Sequence, residues 1–201
     1  DPQPSLKWIQ GGVNGSEVFA SNMVQNNTDG TFDVTSTTTV IANRSKDRMT
    51  YVCQANHTTW TSPKSSSLEL YLYLKPSYPV LSENVIFPEG GNMSVMCGVT
   101  GCRPEPIVTW SGVQGQQRQT STWIPEDETY NVTSLYTKIV LRQDYGEILL
   151  CTVTHMALAY SLTASTTLVV LFPPTNVSIT DNRVVTVGQG RLILRCTTGT
   201  A

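Results

Sequence analysis

Two histidines and five cysteines are the side chains of this 201-residue sequence best suited to metal binding, base catalysis or covalent chemistry. His57 and His155 each stand four residues past a cysteine, Cys53 and Cys151, at positions 98 residues apart. Neither has a neighbouring cluster of ligand residues, so they read as structural strand-end residues rather than a zinc pair. A Ser–His–Asp triad would have to draw on the same two histidines, and no Gly-x-Ser-x-Gly elbow occurs. Gly188-Gln189-Gly190 precedes a strand-like run, which makes it a hairpin turn rather than a phosphate cradle. The acidic residues are dispersed, without calcium-loop spacing. The pattern points to a non-enzyme with no metal and no cofactor.

The other chemistry on offer is modification. Asn-x-Ser/Thr acceptors stand at Asn14, Asn26, Asn43, Asn56, Asn92, Asn131 and Asn176. The 11 asparagines and 46 serines plus threonines would give roughly 2.5 by chance. The excess places the chain outside the cytosol, and the cysteines agree with an oxidising compartment. Their count of five is odd, so at least one partner is missing.

The elements that position these residues are strands. Thr (28) and Val (21) are abundant while Ala (7), Glu (8) and Lys (5) are scarce, a composition that favours a pleated surface over helix. At 39% hydrophobic and 14% charged the chain can bury a core and is not a disordered polyelectrolyte. The net charge of −2, with 13 scattered basic residues, offers no footprint for nucleic acid and no polybasic membrane patch. The longest strongly apolar run, Leu168 to Phe172, is far short of the ~20 residues of a spanning helix. The start at Asp1, and an end in mid-strand just after Cys196, lead us to expect a piece of a longer protein.

An internal repeat organises the rest. Asp29–His57 aligns without gaps on Asp127–His155, with ten of 29 positions identical, including the Cys53/Cys151 and His57/His155 pairs. Upstream, DPQPSLKW (1–8) lies on RPEPIVTW (103–110), matching Trp8 with Trp110. GGNMSVMCGVTG (90–101) lies on GQGRLILRCTTG (188–199), matching Cys97 with Cys196. The expectation is all-β: the back part of one unit in 1–76, a complete unit in 77–173, and the start of a third in 174–201. Val95, Cys97 and Val99 alternate with Ser94, Met96 and Gly98. Leu149, Cys151 and Val153 form another alternation, and Leu135, Thr137, Ile139 and Leu141 a further one. Such patterning reads as an antiparallel sandwich. Cys97, Trp110 and Cys151 fall on inward parities, so a disulfide could cross the two sheets with the indole packed on it. Closing that loop would contribute about 4 kcal/mol on the chain-entropy estimate.

This Cys…Trp…Cys arrangement resembles the immunoglobulin superfamily along the whole chain. Asp47-x-x-x-Tyr51-x-Cys53 resembles its tyrosine corner, whereas Leu149 replaces that tyrosine in the second unit and Asp144 and Gly146 stand one residue early. RQDYGEILLCTVTH (142–155), the following FPP (172–174), and CGVTGCRPEPIVTW (97–110) resemble the second domain of nectins, nectin-like molecules and the poliovirus receptor, with similar segments in kin of irregular chiasm proteins. The 45 residues from Trp8 to Cys53, against 41 from Trp110 to Cys151, make the first unit constant-like too. A tandem array follows from that. The resemblance implies that Cys97 pairs with Cys151, and that Cys53 and Cys196 pair with cysteines outside this sequence. It also implies that Trp8 and Trp110 are core residues.

Cys102 is then left over: either half of an inter-domain or intermolecular bridge, or a buried free thiol in the loop before the tryptophan strand. Leu68 to Leu74 reads as a last strand with four leucines on one face and Tyr71 and Tyr73 on the other. That tyrosine pair is a candidate binding face, or else packs against a neighbouring domain or is merely exposed. Trp60 lies near Asn56, where a glycan would crowd it, and Trp123 lies in a Gln/Thr-rich stretch. The proline-bearing joints 75–79 and 172–174 suit a semi-rigid rod, and outward Val169 and Leu171 are expected against a third unit. These features imply a cell-surface adhesion or recognition receptor that binds other protein ectodomains, homophilically or heterophilically, and is anchored through a segment outside this one. The alternatives are a secreted recognition protein and the ectodomain of a receptor tyrosine kinase or phosphatase. No nucleic acid or small-molecule substrate is expected.

Overall fold

The Thr- and Val-rich runs pair as β-strands in a computed structural model that describes residues 2–82, 85–174, 176–179 and 196–199. Two units result, residues 1–74 and 75–201. In the first, β1 (Ser5–Gln10), β2 (Ser16–Val18), β5 (Thr50–Asn56) and β6 (Lys64–Glu69) form one antiparallel sheet in the order β2-β1-β5-β6. A hairpin of β3 (Ser21–Asn26) and β4 (Phe32–Thr37) stands as a second sheet. Register sets Trp8 directly opposite Cys53. Trp8 and Cys53 are half-buried here, while Ile9, Tyr51 and Val52 are buried.

The second unit holds β7 (Val80–Leu81), β8 (Ile86–Pro88), β9 (Asn92–Cys102), β10 (Ile107–Ser111), β11 (Gln116–Ile124), β12 (Thr129–Ile139), β13 (Ile148–Thr154), β14 (Leu162–Thr167) and β15 (Val169–Leu171). One sheet runs β11-β12-β9-β7 and the other β10-β13-β14, with β15 parallel to β8. This four-plus-three order is the constant-type immunoglobulin sandwich. Gly112 makes the turn out of β10: its φ is +105° and a Cβ there would meet Ile148 O at 2.0 Å, so only glycine fits. β16 (Asn176–Ile179) pairs antiparallel with β17 (Cys196–Gly199), setting Ile179 opposite Cys196. The expected turn at Gly188–Gly190 lies outside the described residues.

The inward rows of β9 and β13 are the expected ones, and they build two adjoining clusters. Phe87, Met93, Val95, Tyr136, Leu149, Leu168 and Val170 form one; Cys97, Val99, Val108, Val132, Cys151 and Val153 form the other, and half-buried Trp110 packs on both. Each such aliphatic side chain contributes roughly 1.5–3 kcal/mol when fully buried.

Four local details differ from expectation. The Gln/Thr-rich stretch around Trp123, to which the sequence assigns no element, is the nine-residue edge strand β11, held by its backbone pairing to β12. The strand expected over Leu68–Leu74 ends at Glu69, because the Asp47 carboxylate takes the Leu72 N–H at 2.9 Å in place of a ladder partner; Leu68 is exposed rather than on a buried leucine face. The Pro-bearing joint is shorter than expected, since Ser77 N donates to Thr100 O at 3.0 Å and Ser82 N to Met96 O at 2.9 Å along β9. Cys102 is the last residue of β9 and not a loop residue.

Candidate functional site

Across the second sandwich Cys97 and Cys151 are bonded, with Cα atoms 6.5 Å apart. Trp110 lies beside them, its ring centroid 5.2 Å from that of Tyr136, and its Nε1–H donates to Ser134 Oγ at 2.9 Å. The Tyr136 hydroxyl in turn donates to Val113 O. Burial, and secondarily the Asp144 carboxylate, push the Tyr136 phenol above its ordinary value. The repeat places Trp8 and Ser36 where Trp110 and Ser134 stand, yet Trp8 Nε1 and Ser36 Oγ are buried without hydrogen-bond partners. Ser134 was not singled out from the sequence, although it is one of the ten repeat identities.

The two histidines hold matching positions. His57 Nε2 lies 2.8 Å from Pro2 O, and its Nδ1 accepts from Thr59 N at 3.3 Å. His155 Nε2 lies 2.9 Å from Pro104 O, and its Nδ1 accepts from Ala157 N at 3.1 Å. An Nε2–H tautomer satisfies both bonds in each case. Each ring therefore ties the end of its cysteine strand to the segment leading into its tryptophan strand. The Tyr51 hydroxyl donates to Gln10 Oε1 at 3.4 Å, and Lys46 Nζ donates to the same oxygen at 2.8 Å.

Cys102 is fully buried, and its Sγ donates to Tyr130 O at 3.1 Å. Cys53 is free and half-buried, and Cys196 is free and exposed. Among the acceptor asparagines, Asn14, Asn26, Asn43, Asn56 and Asn92 are exposed. Asn131 is half-buried on β12, with Oδ1 accepting from Gly101 N at 3.1 Å; Asn176 opens β16.

Tyr71 and Tyr73 are 54% and 62% exposed, and the Arg48 guanidinium lies 5.8 Å from the Tyr71 ring centroid. They follow β6 rather than belonging to it. Trp60 lies under Lys64 Nζ at 4.7 Å, and Trp123 packs on Tyr130 with centroids 4.8 Å apart. Val169 is half-buried and Leu171 exposed. Most of the stretch expected to cover them lies outside the described residues.

Two polar clamps went unnoticed in the sequence. Gln119 on edge strand β11 accepts from Val108 N at 3.1 Å and donates to Glu105 Oε1 at 2.9 Å and Pro106 O at 3.2 Å. It thereby closes one side of the sandwich. Asp144 accepts from Lys138 Nζ at 2.7 Å and Leu141 N at 2.8 Å, fixing the 3-10 turn that precedes β13.

Comparison with known proteins matches residues 1–64 and 78–161 to the CD80-like C2-set immunoglobulin domain family. Limbic system-associated membrane protein of Rattus norvegicus and that of Mus musculus are each 34% identical over 64 residues. That segment is 32% of this chain and only 18% of either relative. Among solved structures, Rst D1-D2 superposes with a TM-score of 0.57 at 13% identity, covering 84% of this chain and 86% of that one. The full ectodomain of mouse nectin-like molecule 4 gives a TM-score of 0.47 at 21% identity, covering 92% of this chain and 57% of that one.

Proposed function

Because this chain belongs to the CD80-like C2-set immunoglobulin domain family, we propose that it is an extracellular segment of a cell-surface adhesion or recognition protein. It works by protein–protein contact through sheet faces and end loops, without chemistry of its own. Family membership over both matched segments is the observation that carries this reading. Two further features agree with it: seven glycan acceptors and the relatives' name as membrane proteins. The protein is held at the membrane by a segment outside this sequence. Its Ig-like units occupy 1–76, 77–173 and 174–201, with Cys53 and Cys196 completing disulfides to cysteines beyond these residues. Tyr71 and Tyr73 supply the first unit's contact, since exposed tyrosines combine apolar area with a polar handle.

Beads coated densely with the glycosylated chain test the reading. Binding to one another or to cells, competed by the soluble chain and reduced by Tyr71→Ala with Tyr73→Ala, is the expected result. Well-folded chain that binds neither beads nor cells at any density overturns it. Binding that survives the double substitution removes the tyrosine pair as the contact.

A further inference from the structure

The outward face of the β11-β12-β9 part of the second unit carries an apolar stripe with a glycan acceptor at its head. Met93, Val95 and Cys97 on β9 enter the core, as do Val132, Ser134 and Tyr136 on β12. The alternate positions therefore face out: Asn92, Ser94 and Met96 on β9, and Leu135, Thr137 and Ile139 on β12. Register sets Asn92 directly opposite Ile139, Ser94 opposite Thr137, and Met96 opposite Leu135. Gln116 and Arg118 of β11 extend the last two rows, and Arg118 is the one charge among these outward positions. Ile139 is 60% exposed and Met96 48%.

Asn92, Ser94, Gln116, Thr137, Lys138 and Ile139 line one groove of about 560 Å³, within the size range of sites that hold small ligands. Asp144 takes the Lys138 ammonium at 2.7 Å. What the groove then offers is the aliphatic surface of Ile139 beside the Ser94 and Thr137 hydroxyls and the Gln116 amide. That combination suits a neutral sugar, whose ring presents C–H faces to an aliphatic side chain and whose hydroxyl and acetamide groups exchange hydrogen bonds with hydroxyls and amides. A sugar source stands at the rim. Asn92-Met93-Ser94 is an acceptor sequence, and side chains directly opposite in an antiparallel pair have Cβ atoms about 4.5–5.5 Å apart. Asn131, the other acceptor on this sheet, stands towards the far end of β12 and is half-buried, with its amide oxygen bonded to Gly101 N.

We propose that the N-linked glycan of Asn92 folds back into this groove, packs its first N-acetylglucosamine units on Ile139, and covers that end of the sheet. The inference rests on the extracellular reading, which supplies the glycan, and gives one acceptor a structural role. A covalently tethered sugar is held at high effective concentration beside the groove, so weak packing on one aliphatic side chain is enough to seat it. Seating withdraws the exposed Ile139 surface from water. Loss of the glycan therefore uncovers it and destabilises the second unit.

Nuclear Overhauser spectroscopy of the glycosylated chain from a secretory host, labelled at the isoleucine methyl groups, tests the proposal. The Ile139 signal is assigned by its disappearance in Ile139→Thr, which keeps the β-branch, and occupancy of Asn92 is read by mass spectrometry. Contacts from the Ile139 methyl to the ring or acetyl protons of the first sugars are the expected result. Asn92→Gln and Ser94→Ala each remove the acceptor by a different residue, and each should lower the Tm of the second unit by roughly 2–4 °C. Both losses should all but vanish in the Ile139→Thr background, where the contact is already gone. An occupied Asn92 without sugar contacts to Ile139, or equal Tm losses in the two backgrounds, overturns the proposal. So does an Asn92 that stays bare while other acceptors carry glycan. These results leave the extracellular reading standing, whereas failure of the bead assay with the Ile139 contacts present would remove the adhesion reading and not this one.

Discussion

Trp110 donates its indole N–H to Ser134 Oγ at 2.9 Å across the second sandwich, whereas the equivalent Trp8 N–H and Ser36 hydroxyl are both buried and unpartnered. The same two residue types at repeat positions thus contribute with opposite sign. Ser134→Ala leaves a buried indole N–H unsatisfied and should cost about 1–3 kcal/mol. Ser36→Ala removes a hydroxyl that makes no bond, and should be neutral or slightly stabilising. Urea melts followed by tryptophan fluorescence distinguish the two. Equal losses from both substitutions would show that the first unit's pair is bonded in solution.

The histidines offer a similar comparison. His155→Ala removes an acceptor for Ala157 N and a donor to Pro104 O, and His57→Ala removes the matching bonds to Thr59 N and Pro2 O. At about 1 kcal/mol per bond, each should cost roughly 1–2 kcal/mol in chemical denaturation. Added zinc should leave the Tm of the parent chain unchanged if the rings are pins and not ligands. A zinc-dependent rise in Tm that either substitution abolishes would reverse that assignment.

Strands buried on one face were legible in the sequence, and strands held by polar bonds were not. Val95, Cys97 and Val99 on β9, with Leu149, Cys151 and Val153 on β13, alternate because every second side chain enters the core. On β12 the inward row is Val132, Ser134 and Tyr136. Two of those three carry hydroxyls that bond Trp110 and Val113 O, so the apolar-looking row of Leu135, Thr137 and Ile139 is the outer one. Edge strand β11 has no apolar alternation at all. Its inward Gln119 serves as a clamp, a role that a glutamine in a polar run does not advertise. The histidine pins and Cys102 were visible as a repeat and a remainder, but the partners found for them are main-chain carbonyls, which spacing alone does not identify.

Tyr136 makes stability depend on alkaline pH. Burial raises its pKa in the folded state above the ordinary tyrosine value. A group whose folded pKa is raised gives stability that is fully present below the unfolded pKa, near 10, and lost as pH climbs through the folded one. Unfolding free energy of the second unit should therefore fall above about pH 10, and absorbance titration should show a phenol ionising above the ordinary tyrosine range. Tyr136→Phe should remove that phenol and flatten that part of the pH profile. At neutral pH it should cost about 1–2 kcal/mol, because Val113 O loses its donor. An unchanged alkaline slope in the variant would assign the dependence to another group.

Cys102 supplies a test of burial that needs no melting curve. Its Sγ is fully enclosed at the end of β9 and donates to Tyr130 O, and reaction requires an accessible thiolate. In the native chain an aromatic disulfide reagent should modify exposed Cys196 at once and Cys53 more slowly, while Cys102 reacts only in denaturant. Cys102→Ala should cost on the order of 1 kcal/mol, through lost packing and the unpartnered carbonyl, and should leave the mass on a non-reducing gel unchanged. Rapid native labelling of Cys102, or a disulfide-linked dimer that disappears in Cys102→Ala, would mean that the end of β9 opens and that this cysteine bridges molecules after all.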